Sequence, residues 1–297
     1  MQTFTHDGIT VAYRDEGSGP PIVMLHNGGT SSTIWRNQVA SLSDRHRVVA
    51  VDLPGFGASP RPDRPPKLSE MVDLIAALLD AEDLAPAVLV GNCMGTNIAS
   101  TIARRSPESV TAILAVNPLT EASFGGGKIG FLHRMERVAG PPTRALRSLS
   151  RKIRPPKPVG SASLRFQLGD KGAALGLHHD PELVACQVRA DQLPALVDVL
   201  DDMEAYGDLD REGVPAEVPV WIVWGEQNRV LSRRRAAHLA DVMHAERVEV
   251  LDGTGHLPML EDPDAVTALI DELVERTAPS AHTAPSARTA EAREASS

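Results

Sequence analysis

The sequence predicts an α/β protein in which a mostly parallel, doubly wound sheet lies between layers of helices. Three observations carry this. Short apolar runs rich in β-branched residues alternate with stretches whose apolar residues recur at three and four spacing. The strand-like runs are apolar at nearly every position, which marks burial on both faces, as a parallel sheet between helix layers requires. The alternation stops after Pro118 and resumes near Val218, so a helical insertion interrupts a single βαβ series.

The chain opens with residues 2–15, which alternate in hydrophobicity around Asp7-Gly8 and predict an antiparallel hairpin at the sheet edge. Strands follow at 22–26, 48–53, 88–91, 111–116, 220–224 and 248–251, and helices alternate with them at 31–43, 68–81, 94–105, 234–243 and 264–276. The core is thus 1–119 plus 216–276, with 120–215 as a helical cap. Within the cap, Gly125-Gly126-Gly127 and Pro155-Pro156-Lys157-Pro158 read as breaks, and helices are expected around 173–177, 182–190 and 194–205. Residues 277–297 repeat a Thr-Ala-Pro-Ser-Ala unit and hold too few large apolar side chains to pack, so they read as a disordered tail.

Composition narrows the function before any motif is considered. A chain of 297 residues with 42% hydrophobic and 23% charged residues is that of a folded protein. A formal charge of −9 opposes nucleic-acid binding, and aromatics at 3% leave few rings for stacking bases or sugars. A small or aliphatic substrate fits better. The longest apolar runs, such as 21–25 and 112–116, fall far short of the roughly 20 residues a spanning helix needs, so no membrane partner is expected. The first residues lack a basic start and an apolar stretch, and a cytoplasmic location is expected. There Cys93 and Cys186 would be free thiols.

The most informative segment is Gly91-Asn92-Cys93-Met94-Gly95, between a buried strand and a helix. A nucleophile on so sharp a turn needs small residues two positions to either side, because the backbones there nearly touch. The glycines meet that need. A thiol at a helix N-terminus feels the positive end of the helix dipole, and an imidazole beside it can take its proton. His256, in a glycine-rich loop after the last strand, is placed to be that imidazole, and a Cys93 thiolate paired with a His256 imidazolium is expected near neutral pH. The adjacent His178 and His179 lack a third ligand at metal spacing, and Gly125-Gly126-Gly127-Lys128 lacks the preceding strand of a phosphate loop. No metal and no cofactor is expected.

At these residues the chain resembles the α/β-hydrolase fold superfamily, as a capped member with cysteine where most carry serine. Leu25-His26-Asn27-Gly28-Gly29 resembles the family's His-Gly oxyanion loop, and Asp52-Leu53-Pro54-Gly55-Phe56-Gly57-Ala58-Ser59 its Asp-x-Pro-Gly-x-Gly-x-Ser turn. Trp224-Gly225-Glu226-Gln227-Asn228 and Gly253-Thr254-Gly255-His256 are similar to the segments that hold the triad acid and histidine. The resemblance implies an oxyanion hole made by the backbone N–H groups of Gly28 and Met94. It departs from the family at the acid, where Asn228 stands for aspartate. An amide can orient the imidazole by accepting its N–H, but brings no negative charge. A cysteine needs less help than a serine, so Cys93 and Asn228 make sense together. Glu121, shortly after the sixth strand, is the alternative orienter.

These readings lead to a cysteine-dependent acyl-transfer enzyme that hydrolyses an ester, thioester or lactone through a thioester acyl-enzyme, with a small-molecule acyl substrate. An acyltransferase or cyclase of small-molecule biosynthesis, using an amine or hydroxyl acceptor, is the alternative; a non-catalytic ligand-binding relative is a further one, supported by the missing aspartate. Residues 128–157 carry nine basic side chains against Glu136 alone, and Arg134, Arg137, Arg144, Arg147, Arg151 and Arg154 fall at three, four or seven spacing. Such a stripe is either a solvated face or a surface for an acidic acyl donor, a carrier protein or coenzyme A. The sequence leaves the oligomeric state open.

Overall fold

The computed structural model describes residues 1–128, 130 and 154–277. Most of the basic stripe and the tail after Thr277 lie outside the described residues. Eight strands form one sheet: β1 (Gln2–His6), β2 (Ile9–Glu16), β3 (Pro21–Leu25), β4 (Arg47–Asp52), β5 (Ala87–Asn92), β6 (Val110–Val116), β7 (Val220–Gly225) and β8 (Arg247–Leu251), in the order β1-β2-β4-β3-β5-β6-β7-β8. The pairings β1–β2 and β2–β4 are antiparallel and the rest parallel. The leading hairpin therefore occupies one edge, turning at Asp7 and Gly8 with φ of 46° and 77°, the left-handed values that a two-residue turn between twisted strands requires.

Alternate side chains along each central strand enter two different cores. In β3, Val23 and Leu25 join one and Ile22 and Met24 the other; in β4, Val49 and Val51 separate in the same way from Val48 and Ala50. Both faces are dry, hence the unbroken apolar runs in the sequence. Covering the faces are α1 (Arg36–Leu42), α2 (Leu68–Ala81), α3 (Met94–Arg105) and the last helix, Pro263–Thr277. The helix read at 234–243 is a chain of tight turns, with bonds such as Arg235 N–H to Ser232 O and Leu239 N–H to Ala236 O, and only Leu239–Val242 is α-helical.

Between β6 and β7 the described residues form α4 (Glu121–Gly125), α5 (Lys157–Gln167), α6 (Asp170–Ala174), α7 (Pro181–Gln187), α8 (Gln192–Asp201), α9 (Met203–Tyr206) and α10 (Asp208–Glu212). The prolines at 155–158 start a helix where the sequence suggested only a break: Pro156 is the N-cap and Pro158 sits in the first turn, where a missing N–H costs nothing. These helices share the two cores, Leu164 in one and Val199 and Met203 in the other. After β7 come α11 (Leu239–Val242), then β8, α12 (Pro258–Glu261) and α13 (Pro263–Thr277). The register brings Leu25 level with Gly91 and Asn92 level with Val116, so the loops after β3, β5, β6, β7 and β8 gather at one edge of the sheet.

Candidate active site

Cys93 stands where β5 turns into α3, with φ 56° and ψ −112°. A non-glycine residue at positive φ costs about 1–3 kcal/mol and persists only where its surroundings enforce it. Here the enforcement is visible. The Cys93 N–H donates to Val116 O at 2.9 Å, and a Cβ on Gly91 would collide with the backbone of Gly95 and Thr96, while one on Gly95 would collide with Leu25 O. The crossing of strand and helix is thus too close for any side chain at 91 or 95.

The loop after β3 is built to present backbone donors. His26 accepts the Leu53 N–H on Nε2 at 2.8 Å, and its Nδ1 lies 2.7 Å from Asn27 O, so a neutral ring carries its proton on Nδ1 and ties this loop to β4. Asp52 braces the neighbourhood by accepting from Ser32 N at 2.7 Å and Ala58 N at 2.7 Å. It is a structural carboxylate. Held in this way, the Gly28 N–H lies near enough to the Cys93 sulfur to favour its ionised form, as does the Met94 N–H from the first turn of α3, where a backbone donor has no partner within the helix.

Cys93 and His256 line one pocket, with Gly28 and Met94 beside them. Cys93 is 7% exposed and His256 1%. No hydrogen bond joins the two side chains among the described residues. The expected thiolate–imidazolium pair is not the resting state: burial pushes the Cys93 thiol up to about 12, against the two N–H groups that favour the thiolate, and burial pushes His256 down to about 3. Without a fixed countercharge, a dry pocket penalises both ions. The site rests neutral.

Asn228 meets His256 as the sequence proposed, but in the opposite sense. Its Oδ1 accepts from Val230 N and Leu231 N, each at 3.0 Å, so its Nδ2 is the atom that faces the imidazole, 3.1 Å from Nδ1. The amide donates. A neutral His256 in this arrangement carries its own proton on Nε2. Glu121 opens α4, exposed, beside Gly207, and makes no hydrogen bond to His256 among the described residues; the structure does not bring it to the imidazole.

Sequence reasoning missed the groups that hold the histidine. Asn92 and Asn117 both donate from Nδ2 to His256 O, at 3.3 and 3.2 Å, and the His256 N–H donates to Gln167 O at 2.7 Å. Glu261 is buried and accepts from Gly255 N at 2.8 Å and Leu257 N at 3.2 Å, on either side of His256, and from Gly169 N at 2.6 Å. Gln187 of α7 donates to Gly29 O and accepts from Ser163 at 3.0 Å, tying the inserted helices to the loop after β3. The signal for the two asparagines was an amide closing each of two apolar strands.

A cysteine held at positive φ on a strand-to-helix turn, backbone N–H groups beside it and a histidine from the far end of the sheet make up the α/β-hydrolase arrangement. Residues 22–269 match the model of the alpha/beta hydrolase family, and the chain belongs to that family. Among curated proteins, it is 28% identical to an uncharacterized protein of Mycobacterium tuberculosis over 94% of this chain and 82% of that one. It is 27% identical to the dihydrolipoyllysine-residue acetyltransferase component of the acetoin cleaving system of Cupriavidus necator, over 89% of this chain and 66% of the other. Among solved structures, a thermophilic esterase from Thermogutta terrifontis superposes with a TM-score of 0.75 at 20% identity, over 93% of this chain and 97% of the esterase.

Proposed function

We propose that the protein is a cysteine-dependent acyl-transfer enzyme acting on an ester, thioester or lactone, with Cys93 as nucleophile, His256 as the proton carrier and Asn228 as its orienting partner. The observation that carries this is the convergence of the Gly28 and Met94 N–H groups on a sulfur held at positive φ, which has no purpose in packing alone. The thiol proton passes to His256 Nε2 as sulfur attacks the carbonyl carbon, and the two N–H groups receive the oxyanion. Collapse breaks the bond to the leaving group, which takes the proton from His256 and leaves an acyl thioester on Cys93. An acceptor, water or an amine or hydroxyl, then attacks that thioester, gives its proton to His256, and returns the thiol.

Attack requires His256 with a free Nε2, the tautomer that the resting Asn228 contact disfavours. Turnover therefore needs the Asn228 amide to turn when substrate enters. The acetyltransferase component named among the relatives supports acyl chemistry. A ligand-binding protein without turnover is the second reading, favoured by a thiol pushed up to about 12. The test is product analysis by mass spectrometry with a neutral thioester, with and without an added amine, for the wild type and Cys93→Ala. Acid or amide product that depends on Cys93 supports the proposal, and the product names the acceptor. Release of the thioester at the same rate by Cys93→Ala contradicts it.

A further inference from the structure

We propose, resting on the acyl-transfer reading, that the Cys93 pocket takes a neutral, unbranched aliphatic acyl group of medium length and rejects acyl groups that carry a charge. No Asp, Glu, Lys or Arg lines the pocket among the described residues. Its apolar wall comes from Leu196, Val199 and Leu200 of α8, Met203 of α9, and Phe124 and Leu231. The polar side chains besides the catalytic pair are Ser163, Gln167 and Gln187, all neutral, and Ser163 and Gln187 are already bonded to each other at 3.0 Å. Away from the Gly28 and Met94 N–H groups at the sulfur, no charged side chain among the described residues lines the wall to pair a carboxylate, phosphate or ammonium, and an unpaired charge buried there is expelled.

Size follows from volume. The pocket has about 120 Å³ of space for the centres of water-sized groups, far more than a single water needs. A medium-length acyl chain can lie in it with its tail against α8 and α9. Shape follows from crowding at the oxyanion loop. A Cβ on Gly28 would stand 3.2 Å from Leu196 Cδ1 and 3.5 Å from Met94 Sδ. A branch on the acyl α-carbon would compete with those atoms for the same space.

The test uses two series on the wild-type protein. The first is calorimetric binding of unreactive 2-alkanones, from butanone to dodecanone, and of the ω-carboxylate of the octanone at neutral pH. Affinity is expected to rise about four-fold per methylene, the equivalent of about 0.8 kcal/mol, to level off within the series once the tail reaches α8 and α9, and to fall at least about 100-fold for the carboxylate. A flat series, or a carboxylate that binds as well as the ketone, overturns the proposal. The second series is intact-mass detection of acyl-Cys93 from thioesters of the same lengths. An adduct forming without length dependence leaves the acyl-transfer reading standing and sinks the pocket's selectivity. Selective ketone binding with no adduct at any length keeps the selectivity and sinks the acyl-transfer reading.

Discussion

Replacing Asn228 by aspartate changes one atom's role and reverses the proton on His256. In the wild type, Oδ1 of Asn228 is fixed by the Val230 and Leu231 N–H groups, so Nδ2 donates to His256 Nδ1. To free Nε2 as a base, the ring must carry its proton on Nδ1 and the amide must turn its oxygen toward it, facing Nδ2 at two backbone donors. That forfeits two hydrogen bonds worth about 0.5–1.5 kcal/mol each, or roughly 1–3 kcal/mol, which is about 5- to 150-fold in the population of the base form. In Asn228→Asp one carboxylate oxygen keeps the two backbone donors and the other can only accept, so the base tautomer becomes the resting one. Its charge also raises His256 from its depressed value and stabilises the imidazolium. The assay is alkylation of Cys93 by iodoacetamide at neutral pH, followed by peptide mass spectrometry to separate Cys93 from Cys186, alongside ¹⁵N NMR of the imidazole. The expected result is a rise in Cys93 alkylation of about 10- to 100-fold, with protonation moving from Nε2 to Nδ1. An unchanged or slower alkylation, or a wild-type ring already protonated at Nδ1, would mean that the Asn228 amide does not set the His256 tautomer.

Three further outcomes follow from the same contacts. His256 titrates at 6.5 when unfolded and about 3 in the fold, so the unfolded chain binds the extra proton between those values and stability falls as pH falls through them. Denaturant melts at pH 7 and 4.5 are expected to show the wild type losing roughly 2–3 kcal/mol more than His256→Leu; equal losses would mean the imidazole is solvated. Gly95→Ala, whose Cβ meets Leu25 O, is expected to cost about 2 kcal/mol or more, whereas Gly8→Ala, with nothing within 4 Å, carries only the φ penalty of about 1 kcal/mol; thermal unfolding ranks them. Glu261→Gln places an amide donor among backbone donors at Gly169, Gly255 and Leu257, and is expected to lose about 1–3 kcal/mol together with Cys93 acylation, read by denaturant melts and intact mass.

Much of the fold was legible because its causes are local. The parallel sheet announced itself in strands apolar at every position, the edge hairpin in Asp7-Gly8, and the elbow in glycines at 91 and 95 that no other residue can replace. The helix Lys157–Gln167 was missed because prolines are as compatible with a helix's first turn as with a break. At the site, Cys93, His256, Asn228, Gly28 and Met94 were placed together from motifs, yet their electrostatics were not. The ion pair expected of Cys93 and His256 depends on how dry the pocket is, which the inserted helices decide through side chains far apart in sequence. The sense of the Asn228 contact was readable in part: an asparagine bonding the N–H groups two and three residues on is a local turn habit, and it leaves only the nitrogen to face the histidine. Glu261 was illegible because its partners come from three segments.

Acylation of the Cys93 sulfur with the help of His256 is read by intact-mass kinetics on mixing with octanoyl thioester, with the modified peptide identified. The wild type is expected to take one acyl group on Cys93, Cys93→Ala none, and His256→Ala an adduct at least ten-fold slower, about 1.4 kcal/mol in the barrier. Acylation confined to Cys186, or equal rates with and without the histidine, would contradict this.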